Sequence, residues 1–140
     1  SEVSAIGTYV RLVDFDQLPN GQLGIVVEGQ AKFCVNEVHE RGNGLMIAHI
    51  DYLAPESTVV LPEEKSYLAE LLESLTAHET VKKLNLQIDF NDAVDVGSRL
   101  AELIPCSNSD KQLLLELDEP LVRLDQLAVI VAKLQQSAWL

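Results

Sequence analysis

The sequence has few basic residues and no long hydrophobic run. Only 10 Lys and Arg stand against 22 Asp and Glu, which gives a formal net charge of −12. Proteins bind nucleic-acid backbones through clustered Lys and Arg that displace counterions, and here the acidic excess extends over both halves of the chain. We therefore expect no nucleic-acid partner. The longest apolar run, residues 127–132, is far shorter than the roughly 20 residues of a membrane-spanning helix, so we expect no membrane partner either.

Cysteine is also scarce. Cys34 and Cys106 are the two cysteines of the chain, and their separation gives neither the spacing of a metal site nor a disulfide framework. We expect Cys34 to be a small packing residue of a strand rather than a reactive thiol. The first residues, Ser1-Glu2-Val3-Ser4, show no signal-peptide pattern, and the expected location is the cytoplasm.

The motifs of nucleotide and hydrolase chemistry are missing as well. No glycine precedes a lysine, which excludes a Walker A loop, and neither Gly-x-Gly-x-x-Gly nor Gly-x-Ser-x-Gly occurs. A Ser–Lys peptidase needs its serine and lysine in a desolvated pocket, whereas Lys65-Ser66 and the Ser109/Lys111 pair lie at predicted helix starts. We therefore predict that the chain is not an enzyme, and we assign no catalytic or cofactor-binding residue and no cofactor.

The three histidines do not form a metal-binding pair at helical spacing. His49 shares a face of a predicted strand with Asp51. We interpret these two as a surface pair rather than as ligands, because a metal would need further ligands from elsewhere. No metal-binding residue is assigned.

The N-terminal part of the sequence predicts an antiparallel meander. Strands are predicted from β-branched and alternating apolar residues at residues 6–13, 23–27, 31–35 and 45–53. Leu18-Pro19-Asn20-Gly21 fits a type I turn with proline at its second position, and Arg41-Gly42-Asn43-Gly44 is a second turn cluster. Glu28-Gly29-Gln30 is predicted to separate the second strand from the third.

The C-terminal part shows the three- and four-residue apolar spacing of amphipathic helices. The first helix is predicted from Pro62 to Ala77 or His78, and residues 80–86 fit a short helix or an irregular segment equally well. Three further signals mark helix ends: Asn91 as an N-cap for a helix stopped by Pro105, Ser109-Asp110-Lys111-Gln112 as a capping box, and Pro120 at the start of the last helix.

Taken together, these segments resemble the LON substrate-binding domain, the non-catalytic N-terminal domain of Lon-type ATP-dependent proteases, which also occurs as a stand-alone bacterial protein. The similarity extends from about Ile6 to Lys133. In the sheet part it rests on Gly7-Thr8, Leu18-Pro19-Asn20-Gly21, Val26-Val27-Glu28-Gly29 and Phe33. In the helical part it rests on Leu100-Ala101-Glu102-Leu103-Ile104-Pro105, Lys111-Gln112-Leu113-Leu114, Glu116, Asp118 and Arg123-Leu124.

The resemblance implies an α+β fold. An antiparallel, partly closed PUA-like β-barrel (residues 1–61) would precede a helical subdomain (residues 62–140), both packed as one LON-type unit. Phe33 is expected to line the barrel, and Leu71 to lie where the barrel meets the helices. In the family, strands ahead of the Gly-Thr pair close the barrel. They do not occur in this sequence, so we expect the strand Ile6–Val13 to pair with a second copy or with a further N-terminal segment.

The resemblance also implies a function. It predicts a non-catalytic domain that binds unfolded or partner polypeptides, as the substrate-recognition domain of Lon proteases does, and it names no protein-binding residue. Two alternatives stay open. One is a small-molecule-binding or hydrolase-like protein with a pocket inside the barrel. The other is RNA binding through the PUA-like fold, which the acidic charge disfavours.

Overall fold

A sheet comes first in the chain, and helices follow it. The computed structural model describes residues 2–137 and divides into two units, Ser1–Pro55 and Glu56–Leu140. The order of elements confirms the α+β class. The packing of both parts as one unit stays a prediction.

The sheet contains three antiparallel strands. β1 (Ile6–Gln17), β2 (Leu23–Glu40) and β3 (Met46–Tyr52) are hydrogen-bonded in the order β1-β2-β3. β1 and β3 are both edges, so the sheet formed by the described residues is open. The antiparallel pairing is as predicted, but the partial closure into a barrel is not seen in residues 2–137, because a closed barrel needs more strands than these three.

Both connections in the sheet are tight turns with the same geometry. The Gly21 N–H donates to the Leu18 carbonyl at 2.9 Å, and the Gly44 N–H donates to the Arg41 carbonyl at 2.9 Å. Gly21 has φ +85° and Gly44 has φ +87°, a left-handed conformation that glycine adopts without a steric penalty. The sequence predicted both turns correctly.

β2 is one strand of 18 residues, where the sequence predicted two. Glu28 lies opposite Arg11 and Gly29 lies opposite Val10. The Glu28 carboxylate accepts hydrogen bonds from Arg11 at 3.4 Å and from Gln30 at 2.9 Å. These partners keep the backbone extended through Glu28-Gly29-Gln30, because cross-strand contacts outweigh the low strand propensity of the segment.

Up to residue 137, the second unit contains a short 3₁₀ turn and five helices. They are the turn Glu63–Lys65, α1 (Ser66–Thr76), α2 (Glu79–Lys82), α3 (Ala93–Leu103), α4 (Asn108–Glu116) and α5 (Pro120–Gln136). Their buried apolar residues form one cluster: Leu68, Leu72, Ala93, Val96, Leu100, Ile104, Leu114, Leu124, Leu127 and Val131. Leu71 packs against this cluster but is only half-buried. Its predicted contact with the sheet stays a prediction.

Two predicted helix caps are wrong by one or two residues. The N-cap of α3 is Asp92 rather than Asn91, because the Asp92 carboxylate accepts from the Val94 N–H at 3.0 Å and from the Val59 N–H at 3.1 Å. The N-cap of α4 is Ser107, whose hydroxyl accepts from the Asp110 N–H at 3.0 Å. Ser109 therefore lies inside α4. In both helices a neighbouring aspartate or serine accepts from the exposed N–H groups of the first turn instead.

Candidate functional site

The apolar residues of the sheet lie on one face where all three strands pair and on the opposite face in the part where β1 and β2 pair alone. Near β3, Phe33 lies opposite Gly7 on β1 and Tyr52 on β3, and a Cβ added to Gly7 would lie 2.7 Å from the Phe33 ring. The rings of Tyr9 and Tyr52 also meet there, edge to face at 6.0 Å. Phe33 is half-buried by these neighbours. Its position on a shared aromatic face is consistent with a structural role.

The apolar residues beyond this region lie on the opposite face of the sheet. Between the Thr8–Lys32 and Val10–Gly29 pairs, β2 has one residue more than β1. Such a bulge shifts the alternation of side chains by one position. Tyr9 therefore shares the face of Phe33, whereas Val10 and Leu12 point to the other side.

A two-stranded hairpin carries this second apolar surface. β3 pairs with β2 from Phe33 to Glu40, so residues 23–29 of β2 pair with β1 alone. A second bulge at Val13, between the Leu12–Val27 and Asp14–Val26 pairs, keeps Phe15 on the same side as Leu12. We call the resulting surface the hairpin face. It consists of Val10, Leu12, Phe15, Leu23, Ile25 and Val27.

The hairpin face is exposed. Its six side chains are 45% to 68% accessible, with Phe15 and Leu23 the most accessible. The opposite side of the same hairpin carries Arg11, Asp14, Asp16 and Glu28, together with Val26. An exposed apolar surface backed by a charged one is characteristic of an interaction surface. A two-stranded hairpin is also marginally stable without cover.

Two aspartates block part of the outer edge of β1. Asp14 Oδ1 accepts from the Phe15 N–H, and Asp16 Oδ1 accepts from the Gln17 N–H, both at 2.8 Å. At the turn, the Leu18 N–H points inward and donates to the Gln22 carbonyl. Neighbouring N–H groups along a strand point alternately towards and away from the partner strand. The Gln17 N–H therefore points away from β2, towards the edge. Carboxylates that occupy outward N–H groups prevent another strand from pairing there.

A cavity of about 320 Å³ lies at the turn end of the hairpin face. Phe15, Asp16, Gln17, Gly21 and Leu23 line it. Phe15 and Leu23 belong to the hairpin face. Asp16 belongs to the opposite side, and its carboxylate turns to the edge of β1, where it accepts from the Gln17 N–H. The cavity is therefore continuous with the exposed apolar surface.

Cavities also lie within the helical unit. One of about 360 Å³ is lined by Thr76, Val81, Lys82, Asn85, Leu86, Gln87, Ile88 and Phe90. Another, of about 240 Å³, is lined by Pro105, Cys106, Ser107, Asp110, Ile130, Lys133 and Leu134. The small-molecule alternative requires a pocket inside a barrel. The open sheet of the described residues has no such interior.

The residues considered for chemistry have structural partners. Lys65 forms an ion pair with Asp125 at 3.2 Å, and the Lys111 ammonium donates to the Glu102 carbonyl at 3.0 Å. Asp51 accepts a hydrogen bond from Asn36 at 2.7 Å.

His39 and His49 lie side by side on β2 and β3, with ring centroids 5.9 Å apart. Across residues 2–137, no three His, Cys, Asp or Glu side chains are grouped as a metal site would require. In the same part of the chain, no helix is both long and apolar enough to cross a membrane.

Comparison with models of known families identifies the family of this chain. The family model described as the "ATP-dependent protease La (LON) substrate-binding domain" matches residues 1–133. The chain belongs to the LON substrate-binding domain family. This confirms the resemblance inferred from the motifs in both halves of the sequence.

Solved structures of the LON family agree with this fold. The Lon N-terminal domain protein from Xanthomonas campestris is 34% identical, with a TM-score of 0.72 over 90% of this chain and 68% of that chain. The N-terminal domain of Lon protease from the Mycobacterium avium complex is 17% identical, with a TM-score of 0.59 over 90% of this chain and 69% of that chain. The second similarity concerns the fold alone.

Curated relatives of this LON domain are longer proteins. A Lon protease of Bacillus thuringiensis is 30% identical over 141 residues, which cover 96% of this chain and 18% of the protease. A LON peptidase N-terminal domain and RING finger protein of Schizosaccharomyces pombe is 23% identical over 159 residues, or 97% of this chain and 32% of that protein. The chain thus spans about a third or less of the length of these relatives.

The sequence patterns point to no binding residue, and they do not single out the candidates Phe15 and Asp16. Both follow the predicted end of the first strand at Val13. The signal was present in Asp14-Phe15-Asp16, an aromatic residue between two carboxylates just ahead of a predicted turn. It could be interpreted only with the bulge at Val13, because Leu12 and Phe15 are three residues apart and simple alternation puts them on opposite faces.

Proposed function

We propose that this chain binds extended, apolar polypeptide segments on the hairpin face. The observation that carries the proposal is the exposure of six large apolar side chains on one side of a two-stranded hairpin. Burying them against apolar side chains of a partner would supply most of the binding free energy, roughly 25 cal/mol for each Å² of apolar surface removed from water.

The family supports a polypeptide as the occupant. The matching model describes a substrate-binding domain of an ATP-dependent protease, and proteases act on polypeptide chains. In our proposal this chain supplies recognition only, with no peptidase or nucleotide hydrolase activity of its own. ATP turnover by the purified chain that is abolished by a substitution within it would contradict this.

The blocked edge of β1 suggests how binding occurs. The outward N–H groups of Phe15 and Gln17 are occupied by Asp14 and Asp16, so a bound segment cannot pair with the backbone there. Recognition at this end of the hairpin therefore rests on side-chain packing. We expect broad selectivity for apolar residues rather than for a particular strand register.

A matched pair of variants tests the proposal. Ile25→Ser removes a central side chain of the hairpin face, whereas Val26→Ser changes the neighbouring, similarly exposed residue on the opposite face. Binding of a fluorescent, reduced and carboxymethylated model protein is measured by anisotropy. Central contacts dominate interface energies, so we expect the first variant to bind at least about tenfold more weakly.

The second variant should stay within about twofold of the parent chain, because it leaves the hairpin face intact. Far-UV circular dichroism of both variants controls for folding. Equal losses in the two folded variants, or a larger loss in the opposite-face variant, would show that the hairpin face is not the binding surface.

Self-association through Ile6–Val13 is a second proposal. This segment is the first part of an edge strand, and its residues Tyr9, Val10, Leu12 and Val13 are each about half exposed, on both faces of the sheet. Pairing with a second copy, or with a further N-terminal segment, would satisfy the outward N–H and C=O groups of this edge. Light scattering combined with mass spectrometry tests this. A monomer at 100 μM, about the upper end of ordinary assay concentrations, would contradict pairing between copies.

The remaining expectations about partners and location form part of the same proposal. We propose that the chain works in the cytoplasm and binds neither nucleic acid nor membrane. The net charge of −12 supports the first exclusion. Cys34 and Cys106 are both free, as is usual in a reducing compartment. Titrations with RNA and with anionic vesicles should show no saturable binding.

A further inference from the structure

The cavity at the turn end of the hairpin face combines apolar walls with one carboxylate. Phe15 and Leu23 provide an aromatic ring and a branched aliphatic side chain, and both are about two-thirds exposed. Gly21 also lines the cavity and faces open space, since a Cβ built there would meet nothing within 4 Å. Its volume of about 320 Å³ lies at the lower end of the usual range for ligand sites.

Asp16 is the charged residue of this lining. Its carboxylate is fixed at the edge of β1 by the hydrogen bond from the Gln17 N–H, and Gln17 also lines the cavity. Within residues 2–137, Asp16 forms no ion pair. Arg11, a basic residue on the same strand, is already paired with Glu28 at 3.4 Å. A negative charge without a positive partner among the described residues is therefore held at the strand edge that borders the apolar cavity.

We propose that this cavity binds a lysine or arginine side chain of the polypeptide that occupies the hairpin face. Long basic side chains have an aliphatic stem that packs on apolar surface and a charged head that stays at its margin. Here the stem would lie against Phe15 and Leu23, and the head would reach the Asp16 carboxylate. A cation near the face of the Phe15 ring adds a further attraction. The preferred segment is thus apolar with a basic residue at one end.

This subsite rests on the proposed function, and it makes a separate prediction about peptide sequence. The probes are fluorescein-labelled twelve-residue peptides that share one apolar core and differ at a single terminal position. That position carries lysine, norleucine or glutamate. Ion pairs and cation–π contacts at exposed sites are individually modest, so we expect lysine to exceed norleucine by about threefold to tenfold in affinity. Glutamate should bind more weakly than norleucine.

Two single substitutions separate the subsite from general electrostatics. Asp16→Asn removes the charge but keeps an oxygen that can accept from the Gln17 N–H. Asp14→Asn makes the same change two residues away, where the carboxylate accepts from the Phe15 N–H at 2.8 Å and does not line the cavity. We expect Asp16→Asn to abolish the preference for lysine over norleucine. Asp14→Asn should retain more than half of it.

The outcomes distinguish the two proposals. If all three peptides bind equally and Asp16→Asn changes nothing, the basic subsite is wrong while apolar polypeptide binding stands. If the two substitutions reduce the preference for lysine equally, the overall negative charge attracts the lysine and the cavity is not its site. If no peptide binds, the proposed function fails and the subsite fails with it.

Discussion

Arg123 is the residue whose removal should most damage the helical unit. Its side chain is 2% exposed, and it donates to both carboxylate oxygens of Glu56, at 2.7 and 3.1 Å. Its Nε also donates to the Leu114 carbonyl at 3.0 Å, and Nη2 donates to the Leu117 carbonyl. Both carbonyls belong to the C-terminal end of α4. One guanidinium thus holds the start of the unit, α4 and α5 together.

The substitution Arg123→Met keeps an unbranched apolar stem and removes all the donors. It leaves a carboxylate that is 19% exposed without its bidentate partner, and it leaves two helix-end carbonyls without this donor. Removing one member of a buried ion pair typically costs about 3–5 kcal/mol. For a chain of this size we expect the melting temperature to fall by roughly 10–20 °C.

Urea unfolding followed by circular dichroism measures this loss. Glu56→Gln should cost a similar amount, about 3–5 kcal/mol, because it leaves the charge of a guanidinium that is 2% exposed without its carboxylate. Arg99→Met is the control, since Arg99 forms an exposed pair with Glu102 at 3.2 Å that should be worth less than about 1 kcal/mol. If Arg123→Met unfolds within 1 kcal/mol of the parent, about the cost of an exposed pair, the guanidinium does not stabilise the unit as argued.

Three further substitutions test other parts of the fold by the same unfolding measurement. Asp92→Ala removes the α3 cap and the acceptor of the Val59 N–H, and it should cost about 1–3 kcal/mol. A loss below about 0.5 kcal/mol, less than a typical cap is worth, would contradict the role of Asp92 as acceptor for both N–H groups. Gly21→Val forces a β-branched residue to φ +85° and should cost about 1–2 kcal/mol; no measurable change would mean that the turn adopts another conformation. Leu72→Ala in the buried cluster should cost about 2–5 kcal/mol. Its control, Leu113→Ala on the exposed side of α4, should cost less than about 1 kcal/mol. Similar losses of stability for both variants would refute the assigned core.

The sequence predicted those parts of the fold that are determined locally. The turns at Leu18–Gly21 and Arg41–Gly44 depend on residues that favour a particular backbone conformation, and both were found in place. Pro105 and Pro120 mark the end of α3 and the start of α5 for a similar reason. In each case the physical cause lies within four residues of its effect.

Features that depend on distant partners were not predictable in this way. The continuity of β2 through Gly29 depends on Arg11 and Val10 of another strand. The buried state of Arg123 depends on Glu56, which is 67 residues away along the chain. Within a helical run of leucines and valines, an arginine is usually an exposed residue. Nothing local in the sequence indicated that this one is buried.

The candidate site was missed for a related reason. A strand pattern assigns faces by strict alternation, and each bulge reverses that assignment for every residue that follows. The bulge in β2 opposite Tyr9 and the bulge at Val13 are features of the paired strands. Leu12 and Phe15 therefore appear unrelated in the sequence but lie side by side in the structure.

The hairpin face also has a consequence for how the chain behaves at high concentration. Copies that each expose six large apolar side chains attract one another at short range, and the net charge of −12 opposes that attraction. Charge repulsion reaches about 10 Å at 0.1 M salt but only about 3 Å at 1 M, and it disappears near the isoelectric point of about 4.5. Apolar attraction persists in salt and is strengthened by sulfate. The colloidal stability of the chain is therefore electrostatic, and it should be lost on salting out or on acidification well before the helical unit unfolds.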